Sequence, residues 1–117
     1  MITFMLRNKL PMDNATRKLE RLNFDLVIHF TKYFEEQIQS GKKEFQNFSK
    51  VLFIRLPQLE LPELENNSKI SIPNLLITVT FELDNSSEEF PGAREQKFLY
   101  ENLDLKFDEG LNRFEVV

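Results

Sequence analysis

The chain changes its hydrophobic period once, at Ser40-Gly41, and that change limits the folds open to it. Before it, Leu19, Leu22, Leu26, Phe30, Tyr33 or Phe34, and Ile38 recur at spacings of three and four. That is the stripe of an amphipathic helix. After it, "LLITVTFELD" (75–84) puts Leu75, Ile77, Val79, Phe81 and Leu83 on one side and Thr78, Thr80 and Glu82 on the other. Alternation of this kind belongs to a strand with one face buried. A helical pattern followed only by strand patterns predicts an α+β domain.

The boundaries follow from local chemistry. Asp13 stands at an N-cap position, where its carboxylate can accept from the free N–H groups of a first turn. Gly41 supplies the stop, because glycine tolerates the left-handed geometry of a helix C-terminus. A helix over 13–40 would be about 40 Å long at 1.5 Å per residue. "FDLVIHF" within it also fits period two, and the flanking stop signals decide for helix. Its charges run against the helix dipole, with Arg17, Lys18 and Arg21 near the positive end and Glu35 and Glu36 near the negative end. Packing on a sheet has to outweigh that.

"KVLFIRL" (50–56) is a continuous apolar run and predicts a strand covered on both faces. "LDLKFD" (103–108) points Leu103, Leu105 and Phe107 inward, "DEG" (108–110) makes a hairpin turn, and "NRFEVV" (112–117) closes the sheet. "DNSSEEFPGAREQ" (84–96) reads as a long polar hairpin loop. "TFML", ended by Pro11, is a candidate for a short first strand. All three methionines lie in the first twelve residues, so Met1 and Met12 both stand as possible starts. The whole is one domain, 1–117: one long amphipathic helix on a four-stranded antiparallel meander. One face of the sheet meets the helix and the other meets solvent or a partner.

A helix followed by this meander resembles the cystatin-like arrangement, a helix gripped by an antiparallel sheet. The resemblance covers element order alone. The Gln-x-Val-x-Gly inhibitory hairpin of the cystatins is absent, so it implies a fold and carries over no activity.

Composition narrows the chemistry. Twelve Phe against two Tyr and no Trp predict a core of rings without polar handles. No Cys means no disulfide, no thiolate nucleophile and no cysteine-ligated metal, which favours a reducing compartment. No apolar run approaches the ~20 residues of a membrane span, and the start lacks the cleavage site of a signal peptide. The four Asn-x-Ser/Thr triplets, at Asn14, Asn47, Asn66 and Asn85, are therefore read as incidental. A cytoplasmic protein is expected. The net charge of −4 divides unevenly. Residues 1–50 carry nine Lys/Arg and six Asp/Glu, and residues 51–117 carry six and thirteen. An acidic sheet region repels phosphate backbones, leaving Arg7, Lys9, Arg17, Lys18 and Arg21 as the one basic cluster. A solvated helix start, or a contact with the acidic half of a second copy, accounts for it more simply than nucleic acid does.

His29 is the only histidine, on the edge of the apolar stripe with Asp25 one turn back. It reads either as a general base oriented by Asp25 or as a core-edge histidine bonded to Asp25 or to backbone. No Gly-x-Ser-x-Gly elbow exists for it to activate, and the second reading is preferred. "DLKFDEG" (104–110) echoes a calcium loop, yet Leu105, Lys106 and Phe107 occupy it as a strand would. "DNSSEE" (84–89) would hold calcium only loosely, and phosphorylation of Ser86 or Ser87 competes there with a plain solvated loop. Gly41, Gly92 and Gly110 are scattered and form no phosphate cradle. No cofactor or metal is expected.

"FIRLPQLELPEL" (53–64) remains. Pro57 and Pro62 cannot donate to a ladder, so this length is an edge or a segment leaving the sheet. Prolines and glutamates blunt an edge against aggregation, but four leucines, Leu56, Leu59, Leu61 and Leu64, are left without a role. These four are the expected partner-binding residues. The resulting reading is a non-enzymatic interaction or accessory domain, a homodimer that captures another protein through its sheet face or through residues 56–65. The competing class is an enzyme or ligand-binding domain with a pocket between helix and sheet, using His29, Tyr33 and Tyr100. A nucleic-acid accessory protein is the third.

Overall fold

A computed structural model describes residues 14–61, 68–84 and 92–117. The candidate first strand, the Asp13 cap, Arg7, Lys9, Leu64 and most of the 84–89 loop lie outside the described residues. Helix α1 runs Asn14–Gln39, and a short 3₁₀ turn, Lys43–Phe45, leads into the sheet. Gly41 ends the helix at φ 76°, the left-handed geometry expected of it, and Ser40 Oγ donates to the Gln37 carbonyl at 2.7 Å. Four strands follow: β1 (Phe48–Arg55), β2 (Lys69–Leu83), β3 (Ala93–Asp108) and β4 (Arg113–Val116). They pair antiparallel in chain order, a meander, and the sheet curls into a half-barrel around the helix.

Three sequence expectations change. β1 is an edge strand and is not covered on both faces. Its register with β2 slips twice, between Phe48 and Lys50 and between Val51 and Phe53. Each slip adds a residue, so the inward positions become Phe48, Val51 and Ile54, while Leu52 and Phe53 face out. The continuous apolar run arises from these bulges. β2 begins at Lys69, six residues before the alternating stretch that revealed it, because Pro73 and Asn74 interrupt the pattern. β3 begins at Ala93, so "AREQ" belongs to a strand and the polar connection ends by Gly92.

The interruption in β2 has a counterpart in β3. Ile72 pairs with Leu103 and Leu75 with Tyr100, and all four point toward the helix. Between them Pro73, Asn74, Glu101 and Asn102 all face solvent. The inward side therefore changes from even to odd numbers along each strand, at the same place. Asn74 adopts φ 51°, a left-handed conformation that asparagine tolerates better than most residues. The β2–β3 hairpin is thereby divided in two. β1 lies along one part, against 78–83, and β4 along the other, against 105–108.

The core fills the curl with rings. Phe34 lies 4.6 Å from Phe98 and 6.0 Å from Phe81, and Phe81 stacks on Phe48 at 4.3 Å. Phe30 meets Tyr100 at 5.2 Å, and Phe107 meets Phe114 at 4.8 Å beneath β4. Rings packed edge-on or tilted at such separations add to the area they bury. Leu22, Leu26, Leu75, Ile77, Val79 and Leu105 are fully buried with Phe30, Phe34 and Phe81.

Candidate functional site

Helix α1 does more than cover the sheet. Asp25 precedes buried Leu26 by one residue and Glu35 follows buried Phe34 by one, which puts the two carboxylates on opposite flanks of the apolar stripe. Asp25 Oδ2 accepts from Phe114 N–H of β4 at 2.8 Å, and Glu35 Oε1 accepts from Val51 N–H of β1 at 3.0 Å. Both edge strands are thus tied to the helix by a backbone donor that no strand partner uses. Nothing in the sequence pattern singled out this role. The available signal was an acidic residue at each shoulder of an apolar stripe, where a solvated carboxylate would look the same.

Asp25 is therefore committed to Phe114 and is not the hydrogen-bonded orienter of His29 that the general-base reading needs. Arg21 approaches its other oxygen only to 3.8 Å. The His29 ring packs edge-on to Phe30 at 5.0 Å. Burial pulls its pKa below the ordinary 6.5, opposed by nearby Glu36 and reinforced by Lys32. Tyr100 is half-buried, and its hydroxyl pKa is raised by that burial, with Tyr33 adding to it. Tyr33 itself is exposed and meets Phe34 edge-on at 5.0 Å. His29 and Tyr33 border a shallow depression of about 230 Å³ with Lys32 and Glu36, and Tyr100 lies outside it. Sequence reasoning grouped the three; the structure brings two of them to one opening.

A larger groove of about 430 Å³ runs between α1 and β4. Its helix side carries Asp25, Ile28, His29 and Lys32, and its strand side carries Arg113 and Val116. Arg113 is paired with Glu115 at 3.2 Å. Lys32 has no ion-pair partner among the described residues. No three His, Asp or Glu side chains converge as metal ligands among the described residues.

The segment after β1 turns back onto the core. Leu59 is 8% exposed and belongs to the core cluster, and Leu56 and Leu61 are partly buried against it. Glu60 faces solvent between Leu59 and Leu61, so the alternation is real and its apolar side is used within the chain. Leu59 needs no partner to explain it.

The outer face of the sheet holds a different surface. Leu76 and Leu99 sit opposite one another on β2 and β3, 42% and 60% exposed. Phe53, on β1 opposite Thr80, is 53% exposed. Between these apolar groups Arg55 reaches across β2 to Glu95 at 3.3 Å. Thr78 and Thr80 lie in the strand that this pair spans, both buried, and Thr80 Oγ1 has no hydrogen-bond partner. Of the basic cluster, Lys18 sits 4.9 Å over the Phe107 ring and Arg21 5.6 Å from the Phe24 ring, while Arg17 is exposed. Two of its members are thus engaged with rings of their own chain.

Among the described residues, no helix is long and apolar enough to cross a membrane. Compared with protein-family models, curated proteins and solved structures, the chain finds no match in any of the three.

Proposed function

We propose that this is a non-enzymatic protein-interaction domain that works through the outer face of its sheet, with a second copy of the chain as its first partner. The observation that carries the reading is the directly opposed pair Leu76 and Leu99, both open to solvent at the centre of a strand pair. The charge pattern supports self-association. Outward along β3 run Glu95, Lys97, Leu99 and Glu101. A two-fold axis through Leu99 sets Lys97 of each copy against Glu101 of the other, as an isologous contact requires. Phe53 and Leu52 extend the apolar surface onto β1. The 56–61 segment has no part in this face, since Leu59 is already enclosed in the core.

The pocket reading is the alternative, and the engagement of Asp25 with Phe114 weighs against it. Nucleic-acid binding stands third for the charge reasons given above. Sedimentation equilibrium tests the proposal. A concentration-dependent dimer is expected, dissociated by Leu99→Lys at unchanged far-UV circular dichroism. A wild-type chain that stays monomeric at several hundred micromolar removes the second copy as partner. A dimer that Leu99→Lys leaves intact removes this face.

A further inference from the structure

The groove between α1 and β4 is a separate surface with an unpaired strand edge along its floor. Donors and acceptors alternate between the two sides of a strand. Val117 N–H donates inward to the Asp104 carbonyl at 3.0 Å, and Phe114 N–H points outward to Asp25. The N–H and C=O of Val116, and the C=O of Phe114, therefore point outward as well. Asp25 closes the edge at Phe114 and leaves it open at Val116.

The walls define what fits. Ile28, half exposed on the helix, and Val116 offer apolar contact. The charged residues facing the groove are Asp25, Lys32, Arg113 and Glu115, with His29 beside them. Asp25 is bonded to Phe114 and approached by Arg21, and Arg113 and Glu115 satisfy one another. Of the charged residues lining the groove, Lys32 alone has no bonded or ion-pair partner among the described residues, and it is positive; Glu36, one turn on, borders the adjoining depression and not the groove.

We propose that the groove between α1 and the edge of β4 binds an extended peptide segment that pairs with the backbone of Val116 and presents a carboxylate to Lys32. Strand addition supplies affinity through main-chain hydrogen bonds, and the side chains that alternate into the groove supply selectivity. The site does not depend on the outer face of the sheet and lies on a different element.

The test uses the intact chain and two capped pentapeptides, acetyl-Val-Glu-Val-Glu-Val-amide and its lysine counterpart, followed by heteronuclear NMR. The acidic peptide should give saturable shifts with a dissociation constant below about 1 mM, largest at the amides of 28–32 and 113–117. The lysine peptide should bind at least about tenfold more weakly. Lys32→Glu should reverse that preference. Val116→Pro removes an N–H that β3 does not use and should abolish binding of both peptides. No saturable shift up to roughly 5 mM, on the scale where weaker affinities lose meaning, overturns the proposal. So do shifts centred on Leu76 and Leu99, or equal affinity for the two peptides. Should Val116→Pro fail to fold, Lys32→Glu decides alone: an unchanged preference for the acidic peptide refutes the site.

Discussion

Asp25 on the helix and Phe114 on the last strand are 89 positions apart in sequence and joined at 2.8 Å, carboxylate to backbone N–H. The bond satisfies a donor that an edge strand would otherwise show to solvent or to another chain. A charge-assisted bond of this kind contributes about 1.5–3 kcal/mol. Asp25→Ala should therefore lower unfolding free energy by about that amount in urea titrations. Asp25→Asn keeps an acceptor and should recover part of it. An alanine variant within experimental error of the wild type would show that water replaces the carboxylate at no cost.

Glu35 and Val51 form the matching tie on the other edge. The two carboxylates are ten residues apart, roughly 15 Å along the helix, and share no partner. Losses from Asp25→Ala and Glu35→Ala should then add to within ~0.5 kcal/mol. A double variant that loses clearly more than the sum would mean that the two edges hold the curl of the sheet together.

Leu59 separates the two readings of the proline-rich segment. Enclosed in the monomer core, it should cost about 2–5 kcal/mol when changed to alanine, with the loss visible in dilute solution. The same change should leave the dimer constant of any folded fraction unaltered. A Leu59→Ala chain of wild-type stability would return this residue to the partner-binding role expected from sequence.

Thr80 carries a buried hydroxyl with no partner, and valine has nearly its shape. Thr80→Val should stabilise the fold by about 1 kcal/mol, raising the melting temperature by several degrees for a chain of this size. A destabilised variant would mean that water reaches the hydroxyl between Phe53 and Glu95.

His29 gives the fold a pH dependence of known sign. Its pKa in the folded chain lies below the 6.5 of the unfolded chain, first because of burial. Between the two values the unfolded chain holds the extra proton, so stability is complete above 6.5 and declines as pH falls through that window. Urea midpoints measured downward from neutral pH should show the decline, and His29→Gln should remove it. A His29→Gln chain with an unchanged slope would assign the decline to carboxylates.

The helix, the order of strands and the inward faces of 75–83 and 103–108 were legible because each rests on a local period. The edges were not. In β1 two bulges turn alternation into a spacing of three, and the resulting apolar run imitates a strand buried on both sides. Leu59 looked available because alternation reveals that a segment has an apolar side and says nothing of what that side meets. Leu76 and Leu99 were hidden for the opposite reason. Each adjoins inward residues in an apolar stretch, and only the register shows that they face one another across the outer surface.

The change of inward side at Asn74 and Glu101 has a consequence for how this hairpin can vary in length. Removing Asn74 alone would leave Glu101 with nothing opposite it, a one-residue bulge that disrupts the ladder at that point. Removing Asn74 and Glu101 together would bring the Pro73–Asn102 and Leu75–Tyr100 pairs into direct succession and restore unbroken alternation in both arms. The change of side is thus held in one opposed pair of residues, which the ladder can lose without a bulge only as a pair. A chain so shortened would keep its pairings and its inward residues while losing the switch of side. The switch behaves as a discrete unit, gained or lost in a single compensated step.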